Sequence, residues 1–359
     1  MKVIIAGGGT GGHLFPGVAV AEEFLRRDGT SRILFIGTKR GVEAAILPQL
    51  GFELAALDVA GIKGKGFGGM VKALMKIPQS LGRSFGIIRD FGPDILVGVG
   101  GYASGPAVLA AHWMGVKTAV MEQNALPGIT NRLLGRFVDR VFVTFEETKR
   151  AFPGGKVIVT GNPVRAGFLR SMEEGGEKNG RFTILVFGGS QGAHRINMIF
   201  LEALKFLPME RTKTRVIHQT GSADFETVRQ AYGDLGVEAD VRPFIQDMPR
   251  VFRSADLLVC RAGATSIAEI TASGKAAILI PFPYAVHDHQ TKNAEVLARA
   301  GAAVLAVEKD LTAEVLARMI EDLLNDPRRL REMSEKSRAL GNVRAASDIV
   351  DECLRLAAA

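Results

Sequence analysis

Short runs of β-branched and other apolar residues alternate along this chain with glycine-rich turns and with longer segments whose apolar positions recur at helical spacing. KVIIA (2–6) leads into GGGTGGH, and RILFIG (32–37), DILVGVG (94–100), KTAVM (117–121), RVFVT (140–144) and KVIVTG (156–161) follow. Near-continuous apolar runs of this kind predict strands buried on both faces, hence a parallel sheet with helices on each side. SMEEGGEKNG (171–180) reads as a linker, after which FTILVF (182–187), RVIHQ (215–219), ADLLVC (255–260) and AAILIP (276–281) repeat the pattern. Two doubly wound domains are predicted. The halves echo each other: KVIIA with GGGTGGH resembles TILVF with GGSQGAH, and PDILVGVGGYASG (93–105) resembles ADLLVCRAGATS (255–266). All four glycine-rich turns then fall at the carboxyl ends of strands, where open α/β sheets bind ligands. The run from Leu311 onward is helical in pattern and is expected to pack back onto the first domain.

Composition narrows the class. A chain of 359 residues, 47% hydrophobic and 23% charged, is long enough for two cores and excludes a disordered or fibrous protein. Two uncharged stretches, 3–21 and 95–116, are interrupted by Gly7, Gly8, Gly9, Gly11 and Gly12 and by Gly100, Gly101, Gly105 and Pro106, so neither reads as a signal peptide or a spanning helix. Cys260 and Cys353 form no disulfide framework and no metal spacing, as expected in a reducing, cytosolic setting. Charge is uneven: residues 1–165 carry 20 basic and 12 acidic side chains, net +8, whereas 166–359 carry 25 and 26, net −1. An anionic partner of the first half, nucleic acid or an acidic membrane surface, follows from that asymmetry.

Gly7, Gly9 and Gly12 satisfy G-x-G-x-x-G after a strand, but the next strand ends in Thr38, Lys39 and Arg40 rather than an acid, so of dinucleotide sites only an NADP variant survives. The same loops serve equally as phosphate cradles, with amides at a helix N-terminus, one per domain. In the second domain Ser190 offers a hydroxyl, Arg261 beside Gly263 is a candidate to neutralise a diphosphate, and Glu269, one turn past Thr265, suits the two hydroxyls of a ribose. His13 has the pKa class of a general base. Tyr102 and the run Glu122, Gln123 and Asn124 place polar groups at strand ends. Each has an ordinary structural alternative: a solvated helix residue for Glu269, a capping or core imidazole for His13, a polar network for the others. His287, Asp288, His289 and Gln290 cluster without a further ligand at metal spacing, which favours hydrogen bonding to a sugar over a metal.

Together AGGGTGGHLFPGVAVA (6–21), GVGGYASGP (98–106), EQNALPGITNRLL (122–134), GNPVR (161–165), FGGSQGA (187–193), CRAGATSIAE (260–269) and HDHQTKNA (287–294) resemble, in order and over nearly the whole chain, the MurG-type N-acetylglucosaminyltransferases of peptidoglycan synthesis. The resemblance implies an α/β chain of the GT-B fold, two Rossmann-like doubly wound parallel-sheet domains facing across a deep cleft. Residues 1–163 plus 341–359 would form the acceptor and membrane-associated domain, and 164–340 the UDP-N-acetylglucosamine-binding domain. It implies inverting transfer from UDP-N-acetylglucosamine to the muramyl 4-hydroxyl of lipid I, giving lipid II, with no cofactor and no metal. Catalytic candidates are His13, Tyr102, Glu122 and Asn124, with His13 left open between general base and acceptor or phosphate contact. Implied donor contacts are Thr10, Gly11, Gly12, His13, Asn124 and Arg165, then Ser190, Gln191, Gly192, Ile245, Arg261, Gly263, Ala264, Thr265, Glu269 and Gln290. The acceptor side would share His13, Tyr102, Glu122, Asn124 and Arg165. Where some members carry two glutamines, this chain has His289 and Gln290. A UDP-N-acetylglucosamine 2-epimerase would use the second-half loops alone, and a non-catalytic membrane module would leave the polar residues idle. The implied setting is cytoplasmic, peripheral on the cytoplasmic face of the plasma (inner) membrane. An anionic membrane surface, not nucleic acid, is the expected partner, with the cell-wall synthesis machinery beyond it.

Between Gly61 and Asp90 stand Lys63, Lys65, Lys72, Lys76, Arg83 and Arg89 against a single acid. Val71, Leu74, Ile77, Leu81, Phe85 and Ile88 recur at mostly three- or four-residue steps, predicting an amphipathic helix from Met70 onward at an anionic surface or, equally, a helix packing its stripe inward. Phe67, Met70, Ile77 and Trp113 are candidates for insertion into lipid.

Overall fold

The computed structural model describes residues 1–39, 41–57, 67–173, 180–207, 213–285 and 288–359, with the side chains of 67–77 and of 173 outside the description. Arg40, Lys63, Lys65 and His287, and the side chains of Phe67, Met70, Val71, Lys72, Leu74, Lys76 and Ile77, therefore lie outside the described residues. The chain forms two compact units, Met1–Ala166 with Val343–Ala359, and Gly167–Asn342.

The first unit holds a seven-stranded sheet of β1 (Lys2–Gly7), β2 (Arg32–Thr38), β3 (Glu53–Leu57), β4 (Ile95–Gly100), β5 (Lys117–Glu122), β6 (Arg140–Val143) and β7 (Val157–Val159). Every pairing is parallel and the order is β3-β2-β1-β4-β5-β6-β7. Interleaved helices are α1 (Gly11–Arg27), α2 (Val42–Gln49), α3 (Phe67–Phe91), α4 (Ser104–Trp113) and α5 (Ile129–Leu134). One face of the sheet packs Leu14, Val18 and Phe24 of α1, and the other packs Ala107, Val108 and Ala111 of α4. Leu81, Phe85 and Ile88 of α3 join this second core, so the described end of the predicted stripe packs inward.

The second unit begins in α6 (Ala166–Glu173), whose first residue belongs to the first unit. Its strands are β8 (Phe182–Phe187), β9 (Thr214–Gln219), β10 (Ala239–Arg242), β11 (Leu257–Cys260), β12 (Ala276–Leu279) and β13 (Ala303–Leu305), all parallel in the order β10-β9-β8-β11-β12-β13. Helices α7 (His194–Leu204), α8 (Phe225–Asp234), α9 (Met248–Ser254), α10 (Ala264–Ser273) and α11 (His289–Arg299) intervene, followed by α12 (Ala313–Leu324) and α13 (Pro327–Leu340).

The C-terminal expectation divides. Leu316, Ile320 and Leu323 of α12 and Met333 of α13 are buried in the second unit's core, and α14 (Ala345–Ala358) alone returns to the first. There Ile349, Val350, Cys353 and Leu356 enter the α1-side core, and Arg27 pairs with Asp351 and Arg140 with Glu352.

Sheet order decides where ligands can sit. In each unit the order reverses beside the first strand, between β1 and β4 and between β8 and β11, and a crevice opens at such a switch point beyond the strands' carboxyl ends. The turns leaving those four strands are the four glycine-rich motifs.

Candidate functional site

In the first unit the turn after β1 and the turn after β4 lie backbone against backbone. The Gly8 amide donates to the Gly100 carbonyl at 3.2 Å. A Cβ at Gly7 would stand 2.2 Å from that carbonyl, and one at Gly101 would stand 2.4 Å from the Gly8 carbonyl. These glycines thus permit close approach of two loops as well as a left-handed turn. His13, in the first turn of α1, lies over this contact: a Cβ at Gly100 would meet its Cδ2 at 2.8 Å. The Thr10 hydroxyl is 3.2 Å from His13 Nδ1, so although Thr10 is the N-cap residue its side chain caps nothing. Tyr102, on the same turn, is exposed.

Glu122 ends β5 buried. One carboxylate oxygen accepts from the Asn124 amide at 3.0 Å and its side chain at 3.3 Å, and the other from the Gly128 amide and the Asn131 side chain at 3.0 Å each. Burial raises its pKa above the ordinary carboxyl value despite these donors. Glu122 thereby shapes the loop that presents Asn124, which argues for a positioning role over proton transfer. Arg165 lays its guanidinium over the Phe15 ring, 4.5 Å from the centroid, beside the Gly11 end of α1.

Sequence reasoning passed over Glu43. Fully buried, it accepts from the Gly9 amide at 2.7 Å and from the Thr38 amide and hydroxyl at 2.8 Å each. Burial pushes its carboxyl up, but the Gly9 and Thr38 donors outweigh this and hold it below the usual range. One amide of the supposed phosphate cradle is thus already bound to an anion. The clue in the sequence is the pair of glycines, Gly37 and Gly41, that flank the residue's approach.

In the second unit, the turn after β8 rests on the turn after β9. Gly192 packs on the Thr220 carbonyl, where a Cβ would lie 1.9 Å away, and Gln219 donates to the Gly189 carbonyl at 2.9 Å. Ser190 and Gln191 are exposed at the tip, and α7 starts two residues beyond Gly192. The other end of the Gln219 amide accepts from the Ile245 amide at 2.8 Å, so one buried side chain ties together the loop expected to hold phosphate and the residue expected to read the base. Gly263 is the N-cap of α10, and Ala264 and Thr265 open it. The Thr265 hydroxyl is buried and has no partner among the described residues, while Glu269 stands four residues on, on the same helix face. Gln290 uses its carbonyl to accept from the Phe282 amide at 3.0 Å.

Arg261 is engaged within its own unit. Its Nη1 donates to the Ile280 and Pro281 carbonyls at 3.1 and 3.0 Å and pairs with Glu308 at 2.5 Å, and Phe282 lies 5.3 Å from the guanidinium. A buried guanidinium so engaged braces the ends of β11 and β12, with its charge paired to Glu308. Among the described residues no group of three or more potential ligands could hold a metal ion.

Residues 3–143 match the glycosyltransferase family 28 N-terminal domain and residues 183–352 match the C-terminal domain of the same family. The chain belongs to glycosyltransferase family 28. Within it, a UDP-N-acetylglucosamine--N-acetylmuramyl-(pentapeptide) pyrophosphoryl-undecaprenol N-acetylglucosamine transferase from Syntrophus aciditrophicus is 58% identical, covering 99% of both chains. The crystal structure of Acinetobacter baumannii MurG is 32% identical with a TM-score of 0.82, covering 99% of each. A UDP-GlcNAc 2-epimerase structure from Neisseria meningitidis bound to UDP-GlcNAc shares the fold at 16% identity, with a TM-score of 0.65 over 99% of this chain and 100% of that one.

Proposed function

We propose that this family 28 chain transfers N-acetylglucosamine from UDP-N-acetylglucosamine to the muramyl 4-hydroxyl of the undecaprenyl-pyrophosphoryl-N-acetylmuramyl-pentapeptide acceptor, with inversion. The observation that carries it is the pairing of full-length 58% identity to a transferase so named with a His-bearing switch-point turn in one unit and a phosphate-type turn in the other. In the second unit the amides of 188–193 and the N-terminus of α7 hold the donor diphosphate, Glu269 takes the ribose hydroxyls, Thr265 contributes its unpartnered hydroxyl, and Gln290 offers its remaining amide to the sugar. Base recognition at Ile245 has to share or displace its bond to Gln219. In the first unit His13, oriented by Thr10, takes the proton of the attacking hydroxyl while Tyr102, Asn124 and Arg165 hold the acceptor. The hydroxyl oxygen bonds to the sugar's anomeric carbon as its bond to the diphosphate oxygen breaks, and the charge on leaving UDP meets preorganised amides. Labelled UDP-N-acetylglucosamine with a lipid I analogue is expected to give labelled lipid and UDP. Epimerised sugar without acceptor, and no labelled lipid, would overturn this in favour of the epimerase.

We also place the chain on the cytoplasmic face of the membrane, as a lipid-anchored acceptor requires. No helix among the described residues is long and apolar enough to cross a bilayer. Support comes from α3, α4 and α5, which cover one sheet face: Trp113 is 61% exposed and stacked on Phe85, and Ile129, Leu133 and Phe137 are exposed beside exposed Arg132 and Arg136. Apolar side chains flanked by cations suit an anionic interface, at about 1 kcal/mol per basic residue. Co-sedimentation with anionic but not neutral vesicles is expected at low salt, weakened by Arg132→Glu with Arg136→Glu while UDP affinity holds. Equal binding to both vesicle types would reject this face.

A further inference from the structure

The geometry assigns Glu43 as the positioning residue of the His13 loop: a buried carboxylate that anchors the turn from beneath while Thr10 orients the imidazole. This rests on the transferase reading of the same site. Three observations meet at Glu43. Its oxygens divide between two loops, one bonded to the Gly9 amide at 2.7 Å, the other to the Thr38 amide and hydroxyl at 2.8 Å. The space around it is made by glycines, since a Cβ at Gly8, Gly37 or Gly41 would stand 2.6, 2.7 or 2.2 Å from its side chain. Finally, α1 begins immediately after Gly9 with an N-cap threonine whose hydroxyl, the usual acceptor for a helix's unpaired amides, is turned instead to His13 Nδ1.

The arrangement has a chemical reason. The Thr10 hydroxyl is turned to the ring of the histidine three residues later and caps no amide of its own helix. A carboxylate from the first turn of α2 bonds the Gly9 amide just ahead of the helix and sets a negative charge at its positive end, while the His13 amide that a threonine cap would serve bonds to the Thr10 carbonyl at 3.2 Å, so the hydroxyl is left to hold Nδ1. Nε2 is then the nitrogen not held by Thr10, and the Gly8 and Gly100 contact fixes where the ring lies. Glutamine cannot substitute. It has one acceptor oxygen, and its amide group would face either the Gly9 or the Thr38 N–H, donor against donor.

The test combines kinetics with histidine nitrogen-15 resonances, the His13 signals being assigned by their loss in His13→Ala. Glu43→Gln is expected to lower kcat about a hundredfold, the scale of a misplaced catalytic group, with donor KM and UDP affinity within about twofold. The His13 resonances should shift while those of His194 and His218 stay fixed. Thr38→Val, which deletes a single donor, should give the same selective shift with a smaller loss. Unshifted His13 signals at full kcat would overturn the assignment, as would a collapse of all histidine signals together with kcat, which marks a purely structural role. A wild-type protein that transfers no sugar, while its His13 signals still answer to Glu43→Gln, would defeat the transferase reading and leave the positioning role standing.

Discussion

The two glycine-rich turns that echo each other in sequence are held in opposite ways. The first, GGGTGGH, sits on a buried carboxylate, so one of its amides is spent on a negative charge fixed within the protein. The second, GGSQGAH, rests its glycines on neutral groups, the Gln219 amide and the Thr220 carbonyl, and a carboxylate, Asp224, reaches the side chain of its last residue, His194, at 2.9 Å rather than a glycine amide. A turn backed by an anion is a poor place for a diphosphate and a good place to hold a histidine in register. On the proposed function, a turn whose glycines rest on neutral dipoles keeps its amides for the donor diphosphate. Under the proposed transfer the same motif would serve acid–base chemistry in one unit and charge stabilisation in the other.

The sharpest way to break this comparison is at His13. If the first turn exists to place a base, His13→Ala should cut kcat by about 10²–10⁴ with donor affinity nearly intact. A rise in acceptor KM at unchanged kcat would make the residue a phosphate contact and return the two turns to one role. Next in size are the glycines. Gly192→Ala forces a methyl into the Thr220 carbonyl at φ +76°, and UDP affinity measured by calorimetry should fall about a hundredfold as the loop moves. Gly9→Ala, at φ +86° with open space around it, should cost only about 1–2 kcal/mol of backbone strain and leave UDP affinity alone. Glu269→Ala should raise donor KM roughly ten- to hundredfold with a smaller effect on kcat, because the ribose is remote from the breaking bond. An unchanged donor KM would remove Glu269 from the second site.

Which parts of this were legible follows from the range of the interactions. Strand runs, glycine turns and the parallel architecture are written in local pattern, whereas the strand order that sets the switch points is seen only in the structure. The resemblance of seven motifs supplied the chemistry. Glu43 was not legible because its partner Gly9 lies 34 residues away and a glutamate in a first helical turn reads as an ordinary dipole partner. The ion pair of Arg261 was not legible for the same reason: its proximity to Gly263 is local, whereas its partner Glu308 lies 47 residues on. The exposed apolar side chains of α5 were overlooked because a six-residue helix carries too few turns for a periodic signal.

The smallest effect separates the units by acid. His218 is buried, with Nδ1 3.0 Å from the Tyr232 hydroxyl and Nε2 3.1 Å from Asn197 Oδ1, and Asn197 in turn reaches the Thr220 carbonyl beneath the second turn at 2.9 Å. Burial depresses its pKa from 6.5 to about 3. A depressed histidine contributes stability that is complete above 6.5 and is lost as pH falls from there toward 3, amounting to about 2 kcal/mol by pH 5. In the first unit the carboxyls of Glu23, Glu43, Asp351 and Glu352 are held low, by arginine partners except at Glu43, where backbone amides and Thr38 do so, and their contribution is lost only below the ordinary carboxyl range. Acidification from pH 7 to 5 should therefore weaken the second unit first. The chain has a single tryptophan, Trp113, and it lies in the first unit. Thermal unfolding followed by far-ultraviolet circular dichroism should move to lower temperature at pH 5, while the transition followed by Trp113 fluorescence stays nearly in place. If the two signals shift together, or fluorescence shifts first, the buried imidazole does not set the acid limit and the units are not distinguished in this way.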